Sequence, residues 1–251
     1  MANILLIHGA WHWSGCWYKI LNSPVLTSHK IYALDNLGCG FNKIQDEGEG
    51  VSDVDMDMYT KNLSTLLLNS TEKFILVAHS MGGVLASYLA NKHPEKILKI
   101  IYVAAFICDD GGSMLDYIML DSYQKFLKDR DLDSTMLPEE NETFLNLANK
   151  EKVIKLFYNT SDKNDYEIAL RNLSASNSNL PFMHVHKHSE NFDSISKVYV
   201  ECLQDNAIPI DIQKSMCAKF EGIKIYTIDS DHSPFFSNDK RLSDIIAKEC
   251  L

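Results

Sequence analysis

Six short, nearly uninterrupted apolar runs recur along the chain, at residues 4–8, 31–35, 74–79, 100–106, 198–203 and 223–228, with longer stretches of mixed polarity between them. Such runs suit strands covered on both faces, and the intervening stretches are long enough for right-handed crossover helices. The pattern predicts an α/β fold, with a mostly parallel central sheet flanked by helices. Between 52 and 69 the positions Val54, Met58, Leu63, Leu66 and Leu67 follow a helical period, and the small and apolar residues of 81–93 predict a buried helix that Pro94 stops. Leu242, Ile245 and Ile246 predict a last helix packed on the sheet.

The middle of the chain breaks this rhythm. From 109 to 187 the strand runs vanish and aromatic residues cluster at helical spacings: Tyr117, Tyr123, Phe126, Phe144, Phe157, Tyr158 and Tyr166. A structureless loop of that length does not fit inside a compact domain, so the segment reads as an inserted helical cap on a core made of 1–108 and 188–251. No internal repeat or low-complexity tract is present.

At 251 residues, 45% hydrophobic and 23% charged, the composition is globular, and a formal net charge of -10 argues against nucleic acid or an anionic membrane surface as a partner. The N-terminus carries no basic leader, and its apolar run is too short for the core of a signal peptide. No stretch approaches the ~20 apolar residues of a membrane span. The six cysteines, Cys16, Cys39, Cys108, Cys202, Cys217 and Cys250, form no C-x-x-C pair, which fits reduced thiols in a cytoplasmic protein and no metal site.

Chemistry enters at residues 74–83, Phe-Ile-Leu-Val-Ala-His-Ser-Met-Gly-Gly, where a buried run ends in a serine hemmed by small residues. That is the pattern of a nucleophile elbow, in which Ser80 sits on a sharp strand-to-helix turn. Ala78 stands where the common G-x-S-x-G form has its first glycine, and Gly82 keeps the second. A serine hydroxyl needs a base, and the base an orienting acid. In the α/β-hydrolase arrangement these follow in the order Ser, Asp or Glu, His, each just past the end of a strand. Asp205, after 198–203, and His232, after 223–228, occupy those positions. Asp231 competes for the acid role, but neighbours on an extended segment point apart, which favours Asp205.

Acyl transfer also requires backbone N–H donors for the oxyanion. Met81, directly after the nucleophile, supplies one, and Ala10, in the loop after the first strand, the other, with Gly9 allowing close approach and His8 bracing the loop. Trp11, Trp13 and Phe106, with Gly9 and the cap aromatics, are candidates for the wall of an apolar pocket. His184, His186 and His188 form an H-x-H-x-H run, which reads as a polar hinge between cap and core rather than as a metal site.

Leu-Ile-His-Gly-Ala-Trp-His-Trp-Ser-Gly-Cys-Trp-Tyr-Lys, the Ala-His-Ser-Met-Gly-Gly elbow, Tyr-Val-Ala-Ala-Phe followed by an acidic pair and Gly111, and Ser-Asp-His-Ser-Pro-Phe-Phe-Ser together resemble the plant methylesterase and hydroxynitrile lyase family and its bacterial esterase relatives. The resemblance implies an α/β-hydrolase with Ser80, Asp205 and His232 as triad and Ala10 and Met81 as oxyanion donors, working without a cofactor on a small hydrophobic ester. The lyases of that family resemble one another in a threonine where this chain has Gly9 and a lysine where it has Ser233, so an esterase is expected here. The alternatives are a cofactor-independent lyase using the same triad and a small-molecule receptor with residual hydrolase activity. A homodimer is one assembly compatible with this reading.

Overall fold

The computed structural model describes residues 1–42 and 54–250. Among them the strands are Asn3–Ile7 (β1), Lys30–Leu34 (β2), Phe74–His79 (β3), Ile97–Val103 (β4), Met136–Pro138 (β5), Glu142–Leu145 (β6), Ser176–Ser178 (β7), Ser196–Cys202 (β8) and Lys224–Ile228 (β9). All six apolar runs form strands, and these pair in parallel in the order β2-β1-β3-β4-β8-β9. The central strands β1 and β3 are buried along their whole length, as their unbroken apolar sequences require.

Register aligns the carboxyl ends. Ile7 pairs with Ala78, His79 with Val103, Val103 with Val200, and Cys202 with Ile228. The loops that follow β1, β3, β4, β8 and β9 therefore leave from one edge of the sheet. The chain runs outward from β1 to β2 and then returns to β3 on the other side of β1, so a topological switch point opens between the ends of β1 and β3.

The helix predicted over 81–93 spans Gly82–Lys92, and the terminal helix is Asp239–Glu249, burying Leu242, Ile245 and Ile246. The helical stretch expected over 52–69 divides into Met56–Tyr59 and Lys61–Leu68, while its first residues, 52 and 53, lie outside the described residues. Asp55 caps the first piece by accepting the Met58 N–H.

The segment 109–187 holds the helices Met114–Ile118, Asp121–Asp129, Lys150–Phe157, Lys163–Asn172 and Leu180–Met183, together with β5, β6 and β7, which pair antiparallel as a small second sheet. These three strands correct the purely helical reading of the cap. At three or four residues each, with Pro138 in one and the wholly polar Ser-Asn-Ser as another, they are too short to show strand periodicity. Tyr117, Tyr123, Phe157 and Tyr158 are buried and belong to the same apolar cluster as the sheet.

Candidate active site

Ser80 lies at the end of β3 with φ +53°, a left-handed backbone conformation that a non-glycine residue adopts only where its surroundings hold it. They do so here. Its N–H donates to Val103 O at 3.3 Å, and its carbonyl accepts from Gly83 N–H and Phe106 N–H, each at 3.0 Å. A Cβ on Gly82 would lie 2.7 Å from Ile7 O and 2.8 Å from His8 O, so the helix after the nucleophile passes against bare β1 backbone and the second motif glycine is required. Ala78 lies inside β3 and is buried, so its methyl group is accommodated within the sheet.

The loop after β1 comes up beside this turn. A Cβ on Gly9 would lie 2.6 Å from Ser80 Cβ and 3.2 Å from its Oγ. Glycine there brings the loop backbone to the nucleophile. His8 Nε2 accepts the Asn36 N–H at 2.9 Å, so its Nδ1 carries the proton and donates to Gly9 O at 2.8 Å. His12 likewise donates from Nδ1 to Ala10 O at 2.9 Å and accepts from Tyr158 OH at 2.8 Å. Burial pulls His8 down to about 4 and His12 to about 3, so both rings brace the loop in the neutral form. Among the described residues neither Ala10 N–H nor Met81 N–H donates a hydrogen bond, which leaves both free for an oxyanion.

Asp205 and His232 meet at the ends of β8 and β9. His232 Nδ1 donates to Asp205 Oδ2 at 2.8 Å, with both side chains buried. Asp205 Oδ1 accepts from Ala207 N–H at 2.7 Å and Ile208 N–H at 2.8 Å, and Gln213 Nε2 donates to Oδ2 at 3.3 Å. A carboxylate on Nδ1 fixes the tautomer that leaves the Nε2 lone pair available as base. Among the described residues Ser80 Oγ makes no hydrogen bond to His232, a contact that catalytic pairs often close only with substrate bound.

Two neighbours complete the support. His79 donates from Nε2 to His232 O at 2.8 Å, with the two rings 4.5 Å apart, and burial holds it well below the usual histidine range. Among the described residues the Asp231 carboxylate makes no hydrogen bond to the imidazole. Its Oδ1 accepts from Ser233 N–H and Ser237 Oγ, and its Oδ2 from Thr160 N–H and Ser161 Oγ in the cap.

Of the pocket candidates, Trp11 has φ +61° and turns under the cap, where its Nε1 donates to Thr143 O and its ring packs on Phe157 and Phe182. Phe157 lies in turn 5.5 Å from the His232 ring. Phe106 is buried and tied to the elbow through its N–H. The Trp13 indole is folded over Gly15, at the far end of its own loop. His186 pairs through its backbone with Gly111 and Gly112, and His188 bonds to Asp110 and to Cys108 O, so this run ties the end of the cap to the loop after β4. An open cleft of about 570 Å³ between Asp109, His188, Lys197 and Phe220 shares no residue with Ser80, Asp205 or His232.

A strained serine at the switch point of a parallel sheet, followed in chain order by a buried Asp–His pair, is the arrangement of one fold family. The chain belongs to the alpha/beta hydrolase fold family, whose model matches residues 2–239. Within it the chain is of the methylesterase type, among the carboxylic ester hydrolases. It is 31% identical to Methylesterase 7 of Arabidopsis thaliana, over 95% of this chain and 92% of that protein. A longer chloroplastic relative from the same plant is 32% identical over 97% of this chain, which spans 63% of its length. Among solved structures, a pyrethroid hydrolase from Sphingobium faniae JZ-2 superposes with a TM-score of 0.84 at 22% identity, over 98% of this chain and 96% of that one. A methylesterase from Arabidopsis gives 0.81 at 23% identity, over 100% and 99%.

Proposed function

We propose that this chain hydrolyses small hydrophobic carboxylic esters, methyl esters among them, through an acyl-enzyme on Ser80. The observation that carries the reading is the buried Asp205–His232 bond of 2.8 Å at the strand ends beside the left-handed Ser80. His232 Nε2 takes the Ser80 proton as Oγ attacks the ester carbonyl, and Asp205 stabilises the imidazolium that results. The oxyanion is received by the Ala10 and Met81 N–H groups, and loss of one such donor costs roughly 3 kcal/mol of barrier in comparable sites. His232 returns the proton to the departing alcohol, then activates a water that releases the acid and frees Ser80.

The aromatic group of Trp11, Phe157 and Phe182 over the site supports an apolar acyl or alcohol moiety. The names of the relatives, methylesterases and a pyrethroid hydrolase, support an ester as the substrate class. The lyase reading finds less support. Position 9 has no room for a side chain against Ser80, and Ser233 is buried, so neither position offers a charge to a leaving anion.

A panel of methyl and p-nitrophenyl esters of graded acyl size, assayed with the wild type and Ser80→Ala, tests the proposal. Turnover of apolar esters by the wild type alone is expected. Equal turnover by Ser80→Ala contradicts it.

A further inference from the structure

Five consecutive cap residues, 157–161, contact His232 or residues that adjoin or brace His232, Asp205 and Ala10. The Phe157 ring lies 5.5 Å from that of His232, at 32° to it, and 6.0 Å from that of Trp11. Tyr158 OH bonds to His12 at 2.8 Å, and His12 in turn holds Ala10 O at 2.9 Å, in the loop that supplies an oxyanion donor. Asn159 Nδ2 donates to Gln204 O at 3.1 Å, immediately before Asp205, and Asn206 Nδ2, immediately after it, donates to Lys155 O at 2.8 Å. Thr160 N–H and Ser161 Oγ donate to Asp231 Oδ2 at 3.0 and 2.8 Å, and Asp231 N–H donates to Thr160 Oγ1 at 3.0 Å.

Asp231 is the pivot of these contacts. It is fully buried, each carboxylate oxygen receives two donors, one pair from the cap and one from its own loop, and it is joined by a peptide bond to His232. Charge-assisted bonds of this kind are among the stronger ones available, and releasing the cap pair leaves a buried carboxylate half satisfied. The cap cannot lift at 157–161 without pulling on the backbone that sets where the imidazole stands. Resting on the reading of Ser80, Asp205 and His232 as a triad, we infer that segment 157–161 couples the seating of the cap to the placement of the base, with Asp231 as the positioning residue.

Merely structural anchoring would alter how esters bind but leave the intrinsic reactivity of Ser80 untouched. The test is therefore the rate at which a small fluorophosphonate, which needs little of the pocket, labels Ser80, followed together with the downfield NMR signal of the His232 Nδ1 proton. Ser161→Ala removes one cap donor, Ser161→Thr restores the hydroxyl, and Asn159→Ala cuts the link to Gln204 at an exposed site that does not threaten folding. A misplacement on the order of 1 Å costs about 100-fold in well-aligned sites, and a partial release in Ser161→Ala is expected to slow labelling about 10-fold. Ser161→Thr is expected to return to the wild-type rate, Asn159→Ala to fall between, and the His232 signal to move in Ser161→Ala alone among the Ser161 variants. Wild-type labelling and an unmoved signal in folded Ser161→Ala and Asn159→Ala overturn the coupling. If the wild type is not labelled at all, the ester-hydrolase reading falls, and the His232 signal alone decides whether the cap positions the ring.

Discussion

His232 Nδ1–H donates a hydrogen bond to Asp205 Oδ2 at 2.8 Å, while two backbone N–H groups, of Ala207 and Ile208, hold the other oxygen of the same carboxylate. Asp205→Asn keeps the size and the backbone bonds but turns an amide NH2 toward the ring, which then has to reverse its tautomer. The expected result is a kcat lower by about 10⁴-fold at neutral pH, with the melting temperature little changed. Steady-state kinetics beside thermal denaturation check this, and a loss under tenfold denies Asp205 its role.

Gln213 carries a related prediction. It is fully buried on the helix Ile210–Cys217, donating to Ile208 O at 2.7 Å and Cys202 O at 3.2 Å as well as to Asp205. Gln213→Met removes these donors while filling the space. A fall in kcat of about tenfold, with KM nearly constant, is expected if the amide acts through Asp205, since charged hydrogen bonds of this kind contribute about 1.5–3 kcal/mol.

The two small positions of the elbow are predicted to behave differently. Gly82→Ala drives a methyl into the carbonyls of Ile7 and His8, and overpacking of this kind costs about 1–3 kcal/mol. Ala78→Gly loses one buried methyl group and gains chain entropy, a cost of about 1 kcal/mol with kcat retained. Denaturant melts and ester turnover of the two variants distinguish a steric requirement at 82 from mere preference at 78.

These contrasts mark what the sequence made legible. The six strands were readable because buried parallel strands are apolar throughout, and Asp205 and His232 because strand ends in such a sheet share one edge. Gln213 left only a weak signal, a polar residue amid Ile212, Met216 and Cys217, and its partners come from loops that sequence spacing does not bring together. The service of Asp231 to the cap was equally hidden, since Thr160 and Ser161 lie some 70 positions away. β5 to β7 escaped because strands of three or four residues owe their existence to neighbours rather than to their own pattern.

The braced histidines predict an acid sensitivity. His8 and His12 are held neutral at about 4 and about 3, below the ordinary 6.5 of an unfolded histidine. Between these values the unfolded chain binds protons that the folded one refuses, so stability is full above 6.5, declines as pH falls below it, and declines further toward the folded values. Chemical denaturation at intervals from pH 7.5 to 4.5, above the range of ordinary carboxylates, should show the unfolding free energy falling with pH. A flat profile contradicts the neutral assignment.

Acylation of Ser80 is the step on which the proposed ester hydrolysis rests. Rapid quenching of the wild type with an apolar ester, followed by intact-mass and peptide mass spectrometry, reads this directly. The expected outcome is a mass increase equal to the acyl group, located on Ser80 and absent in Ser80→Ala. Turnover of the same ester with no acyl adduct at any quench time, or with the adduct on another residue, contradicts it.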